Sequence, residues 1–97
     1  MIVRMIVAKV PVDQAETARA VWKQHCAPLM IEVSGCVSEQ LLSSVDDPGE
    51  LISMATWESQ EAIDAYRTSK EHDEIQKRTR ELLSGARATV RTYELVA

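Results

Sequence analysis

The opening segment, Ile2 to Val12, alternates with the period of a strand yet is apolar at both parities. Ile2, Ile6, Ala8 and Val10 point one way, and Val3, Met5 and Val7 the other, with Arg4 and Lys9 beside them. Successive strand residues face opposite sides of a sheet, so a strand of this kind needs cover on both faces and belongs in the middle. Pro11 has no N–H to give a ladder, so pairing finishes there.

The rest of the chain supplies that cover. Asp13 with Glu16 three residues later has the spacing of a capping box. Ala15, Ala18, Val21 or Trp22, Cys26 and Leu29 follow at helical spacing. Pro28 should kink or restart this helix, because it lacks an N–H and its ring crowds the preceding turn. Gly35 suits a left-handed end to the helical region. Val37 to Val45 reads as a second strand, with Val37, Leu41 and Val45 on one face and Gln40, Leu42 and Ser44 on the other. Asp46-Asp-Pro-Gly49 turns the chain, and Glu50 to Trp57 returns as a strand with Ile52, Met54 and Thr56 opposed to Leu51, Ala55 and Trp57. Ser59 caps a helix carrying Ala62, Ile63 and Tyr66. Ser69 caps another running through Ile75, Thr79, Leu82 and Leu83 to Gly85, and Ala88 to Val96 alternates as the last strand.

The order is βαββαβ, the ferredoxin-like α+β plan: a four-stranded antiparallel sheet with its helices on one face. At 97 residues the whole chain, 1–97, reads as a single domain. The other face of the sheet would then present strands one and three to water with apolar side chains, a liability in a monomer. A homodimer packed sheet against sheet resolves this, with the C-terminal strand helping to close the joint. The formal charge of −4 has no basic stripe behind it, so no nucleic-acid footprint is expected. No apolar run approaches the roughly 20 residues of a membrane span. Cys26 and Cys36 offer neither a disulfide framework nor zinc spacing, which suits a cytoplasmic protein.

Few side chains are available for chemistry. Phe is absent, and the aromatics are Trp22, Trp57, Tyr66 and Tyr93. Trp57 ends the third strand as a core anchor whose indole N–H should find a partner, or as a cavity wall. His72, between Glu71 and Asp73, is a candidate general base or metal or haem ligand, although such a setting also describes a solvated helix surface. Tyr66, six residues before it, is a candidate donor to a substrate oxygen as well as a core residue. His25 sits where a cation favours a helix end. Met5, Met30 and Met54 read as core fillers, and the two cysteines as small buried hydrophobes. No phosphate loop, nucleophile elbow, HExxH or carboxylate cluster with metal spacing occurs, which argues against nucleotide hydrolysis and serine or zinc hydrolysis.

Several blocks together resemble a known family. They are the Ile-Val strand ending in Lys9-Val10, Gly35-Cys36, Asp46-Asp47-Pro48, Trp57-Glu58-Ser59-x-Glu61-Ala62, Ser69-Lys-Glu-His72, and Arg91-Thr-Tyr93-Glu94. Over essentially its whole length the chain resembles the antibiotic biosynthesis monooxygenase (ABM) domain family. The resemblance implies a dimeric α+β barrel. It also implies a cofactor-independent monooxygenase that oxidises a small aromatic, phenolic or quinol-type substrate with molecular oxygen, with no cofactor or metal. An electron-rich phenolate or carbanion itself reduces dioxygen, so such a protein has only to deprotonate, orient and exclude water. By the same resemblance His72 is the candidate base, and Tyr66 or Trp57 the candidate polar contacts. A related branch binds and degrades haem through an Asn, a Trp and a His; here Ala8, Tyr66 and Gln76 stand near those places. A haem-binding or haem-degrading protein, or a non-catalytic dimeric module for a small ligand, are the alternatives.

Overall fold

The computed structural model describes residues 1–80 and 87–97. Its strands are β1 (Ile2–Lys9), β2 (Cys36–Ser43), β3 (Glu50–Trp57) and β4 (Arg87–Glu94). Its α-helices are α1 (Ala15–Val21), α2 (Ala27–Ile31), α3 (Gln60–Arg67) and α4 (Lys70–Arg80). The strands form one antiparallel sheet in the order β2-β3-β1-β4, so the strand expected to be central is central. This is the ferredoxin-like α+β arrangement. The expected passage of the last helix through Leu82 and Leu83 to Gly85 lies outside the described residues.

Register fixes what each face holds. On the helix-covered face the rungs across β2, β3 and β1 are Cys36–Trp57–Ile2, Glu39–Ala55–Arg4 and Leu41–Ser53–Ile6. On the open face they are Ser38–Thr56–Val3, Gln40–Met54–Met5 and Leu42–Ile52–Val7. Arg4 therefore shares its face with Ile2 and Ile6, not with Val3, as its even parity requires. Met30 is in the core, whereas Met5 and Met54 are paired neighbours on the open face rather than core fillers. β2 stops at Ser43, and Val45 is 97% exposed in the turn instead of extending a strand face. A bulge between Cys36 and Ser38 leaves Val37 exposed and sets the parity that turns Glu39 and Leu41 inward.

Two local expectations change. Asp13 caps nothing, because Val12–Gln14 forms a 3-10 turn and Gln14, whose side chain makes no capping bond, precedes α1. Pro28 does act on its helix, through a π turn at Trp22–Cys26 that joins α1 to α2. Proline withholds the N–H that would reach the carbonyl of Gln24, and the turn before it widens so that Ala27 N–H donates to the Trp22 carbonyl. The caps on α3 and α4 form as the sequence suggests: Ser59 Oγ accepts from Ala62 N at 3.2 Å, and Ser69 Oγ from His72 N at 3.2 Å.

The core beneath the helices contains Met30, Ala55, Trp57, Ile63 and Tyr66, with Val10, Ala15 and Leu51 grouped at the other end. Gly35 ties α3 to the sheet. Its φ is +89°, and a Cβ placed there would collide with the Cβ of Ala62. The hairpin turn is held by Ser44 Oγ, which accepts from Asp47 N at 3.0 Å, and by Asp47, which accepts from Gly49 N at 3.1 Å. β4 is exposed on both faces along its length. No helix among the described residues is long and apolar enough to cross a membrane.

Candidate active site

The helices do not seal against the sheet. Between them lies a cavity of about 160 Å³. Ile6, Ala8, Leu41, Leu51 and Ala55 form its apolar floor, and Ala18, Val21, Trp22, Cys26 and Ile75 contribute from the helices. Trp22 and Cys26, the first and last residues of the π turn, both stand on the cavity wall. The Cys26 thiol is 2% exposed and burial pushes it up to about 11, so it lines the wall as an inert hydrophobe. Cys36 is also free and bonds weakly to the Ser38 carbonyl.

Polar groups converge at one end. Glu39, Arg4, Ser53 and Tyr66 all line the cavity. Ser53 Oγ donates to Glu39 Oε1 at 2.6 Å. Trp22 leans toward the same carboxyl without reaching hydrogen-bond geometry, and Glu39 Oε2 is buried with no partner among the described residues. Burial pushes the Glu39 carboxyl up to about 7, partly offset by the Ser53 bond, by Trp22 and by the Arg4 charge. Burial likewise lowers Arg4 from its ordinary value. Its guanidinium forms no ion pair or hydrogen bond among the described residues.

Of the three residues singled out from sequence, only Tyr66 reaches the cavity. They are nevertheless contiguous. The Trp57 and Tyr66 rings are tilted by 37° with centroids 5.2 Å apart, and His72 meets Tyr66 edge-on at 5.0 Å. Trp57 is completely buried as a core anchor, but its indole N–H has found no partner among the described residues. Burial raises the Tyr66 phenol, mainly by desolvation, so it stays protonated and able to donate. Burial, then the Arg4 charge, lowers His72, which holds its imidazole neutral at neutral pH. Among the described residues no group of three His, Cys, Asp or Glu side chains gathers to hold a metal ion.

Sequence reasoning missed Glu39 and Arg4. One signal was present: Glu39 stands two residues before Leu41, a charge at the parity of an apolar position. What could not be read was the rung that puts it opposite Ala55 and, one strand further, Arg4.

The fold is similar to several solved structures. A protein from Deinococcus radiodurans described as a candidate antibiotic biosynthesis monooxygenase matches with a TM-score of 0.84 and 14% identity, over 100% of this chain and 94% of that one. A similarly described protein from Nitrosomonas europaea matches at 0.80 and 16%, over 100% of both chains. Rv0793 from Mycobacterium tuberculosis matches at 0.75 and 26%, over 100% of this chain and 97% of that one. No curated protein matches the sequence. The family model for antibiotic biosynthesis monooxygenase matches residues 1–78, most of the chain. By that match, the chain belongs to the antibiotic biosynthesis monooxygenase family.

Proposed function

We propose that the protein is a cofactor-independent monooxygenase acting on a phenol or quinol held in the cavity between helices and sheet. The observation that carries this reading is the cavity itself, apolar over most of its wall and polar at one end. Such a site desolvates an aromatic ring while aiming its hydroxyl at fixed groups. In the reaction a phenol with a hydrogen on the reacting ring carbon loses its hydroxyl proton, and the electron-rich carbon adds dioxygen. One oxygen atom remains as the new quinone carbonyl and the other leaves as water, the substrate supplying all four electrons. The Tyr66 hydroxyl is the donor to the substrate oxygen. Trp57 and His72 flank its ring and position it. A substrate projecting past Tyr66 would bring His72 into proton-transfer range; one held within the cavity would not.

The working unit is a homodimer joined through the open sheet faces. Support comes from the apolar rungs Met54–Met5 and Leu42–Ile52–Val7 and from a β4 exposed along its length, with Tyr93 47% exposed. Sedimentation of the intact chain tests this directly.

The test of activity is oxygen uptake by metal-stripped protein against hydroquinones, dihydroxynaphthalenes and anthrones. Turnover above the autoxidation blank, reduced in Tyr66→Phe, is the expected result. In His72→Ala a lower kcat with an unchanged pH profile marks a positioning role, and loss of the profile's acidic limb marks the base. Absence of turnover across the panel by a folded protein overturns the oxygenase reading.

A further inference from the structure

Glu39 and Arg4 occupy one rung of the sheet, each paired with Ala55 of the strand between them. Two strand spacings separate their backbones by about 10 Å. The residue between is as small as a side chain can be without becoming glycine, so the floor between the two charged chains is low. Both line the cavity, yet they make no ion pair with each other. Glu39 Oε1 is engaged by Ser53, which fixes the carboxyl and leaves Oε2 an acceptor with no partner among the described residues. A buried acceptor without a partner is costly to a fold, and so is a desolvated guanidinium. A group that both gives a proton and tolerates negative charge satisfies the two together.

We propose that Glu39 and Arg4 anchor a hydroxyl group on a single aromatic ring, with Glu39 Oε2 accepting the hydroxyl proton and Arg4 holding the resulting oxyanion. This deepens the oxygenase reading and rests on it. The step breaks the substrate O–H bond and forms an O–H bond on the carboxylate, and the charge moves from Glu39 to an oxygen beside Arg4. The cavity's size selects the ligand. About 160 Å³ is close to the roughly 150 Å³ that admits one benzene, so a single-ring phenol or quinol fits better than a polycycle. Among the described residues the groups that act on Glu39 are Arg4 from β1, Ser53 from β3, Trp22 from the π turn, Tyr66 and the Cys26 thiol from the helices, and the Cys36 thiol from β2 itself. None of these is an anion at pH 8: Tyr66, Cys26 and Cys36 are all raised by burial. Among the described residues of the cavity, nothing else therefore competes with Glu39 for the proton.

The test pairs anaerobic calorimetry with oxygen uptake. At pH 8 the intact protein should bind 4-methylphenol at least roughly tenfold more tightly than 4-fluorotoluene, which keeps the shape and lacks the donor. The preference should shrink in Glu39→Leu, where Tyr66 and Arg4 remain to hold the hydroxyl, and an undiminished preference overturns the role of Glu39. Glu39→Gln, which keeps the volume, should lower kcat for methylhydroquinone by roughly 10²-fold or more. Equal binding of the two probes by the wild-type protein overturns the anchor, as does turnover that survives Glu39→Gln. In the second case the oxygenase reading stands. Preference for 4-methylphenol without turnover on any quinol leaves the anchor standing and overturns the oxygenase.

Discussion

Replacing Glu39 by Gln should stabilise the protein in alkaline solution and leave it unchanged in acid. The carboxyl is raised from an ordinary 4.5 to about 7, chiefly because burial disfavours its charged form. A group raised on folding binds more protons in the native than in the unfolded state between those two values. Its contribution is therefore fully present below about 4.5 and is lost as pH climbs through about 7. At about 1.4 kcal/mol per pH decade the full difference is roughly 3 kcal/mol. Glutamine keeps the shape and an acceptor for Ser53 while removing the charge, so it escapes this loss. The assay is urea unfolding of wild type and Glu39→Gln at one fixed protein concentration, because self-association shifts apparent stability. The two curves should coincide at pH 4.5 and separate by about 2–3 kcal/mol at pH 8. Parallel pH dependence in the two proteins would refute the claim that desolvation dominates this carboxyl. An equally stable variant at pH 8 would mean that Arg4 and the Ser53 bond fully offset the burial.

Other perturbations probe the remaining parts. Tyr66→Phe keeps the ring contacts to Trp57 and His72 but removes the donor, so quinol turnover should fall roughly 10²-fold while the urea midpoint changes little. Gly35→Ala introduces a Cβ at a φ of +89° and against Ala62, and should cost about 1–3 kcal/mol in equilibrium unfolding. Val7→Asp puts a carboxylate amid the open-face row of Leu42 and Ile52, and should give a sedimenting monomer that keeps its far-ultraviolet circular dichroism. Unaltered dimer mass in that variant would argue against association through this face.

Several features were legible because they are local. The two-sided apolar pattern of Ile2 to Val10 made β1 central, and hydroxyl residues one step before α3 and α4 gave the caps at Ser59 and Ser69. The turn chemistry of Asp46 to Gly49 gave the hairpin. Local pattern misled where the signal was ambiguous, as at Asp13, which has cap chemistry but precedes a 3-10 turn. Trp57, Tyr66 and His72 were legible as residue types, and the structure does bring them into contact, but only Tyr66 meets the cavity.

Sequence periodicity and caps thus determined the βαββαβ order and which strand lies in the middle, since each depends on neighbours within a turn or two. Tertiary structure decided the polar end of the cavity. Arg4 and Glu39 lie 35 positions apart, and no periodicity links them. They meet because the bulge after Cys36 sets the parity of β2 and because β3, placed between β2 and β1, offers only Ala55 at that rung. Pairing register, a property of three strands at once, turns two unremarkable charges into facing groups above a small residue, and burial beneath the helices changes the chemistry of the carboxyl.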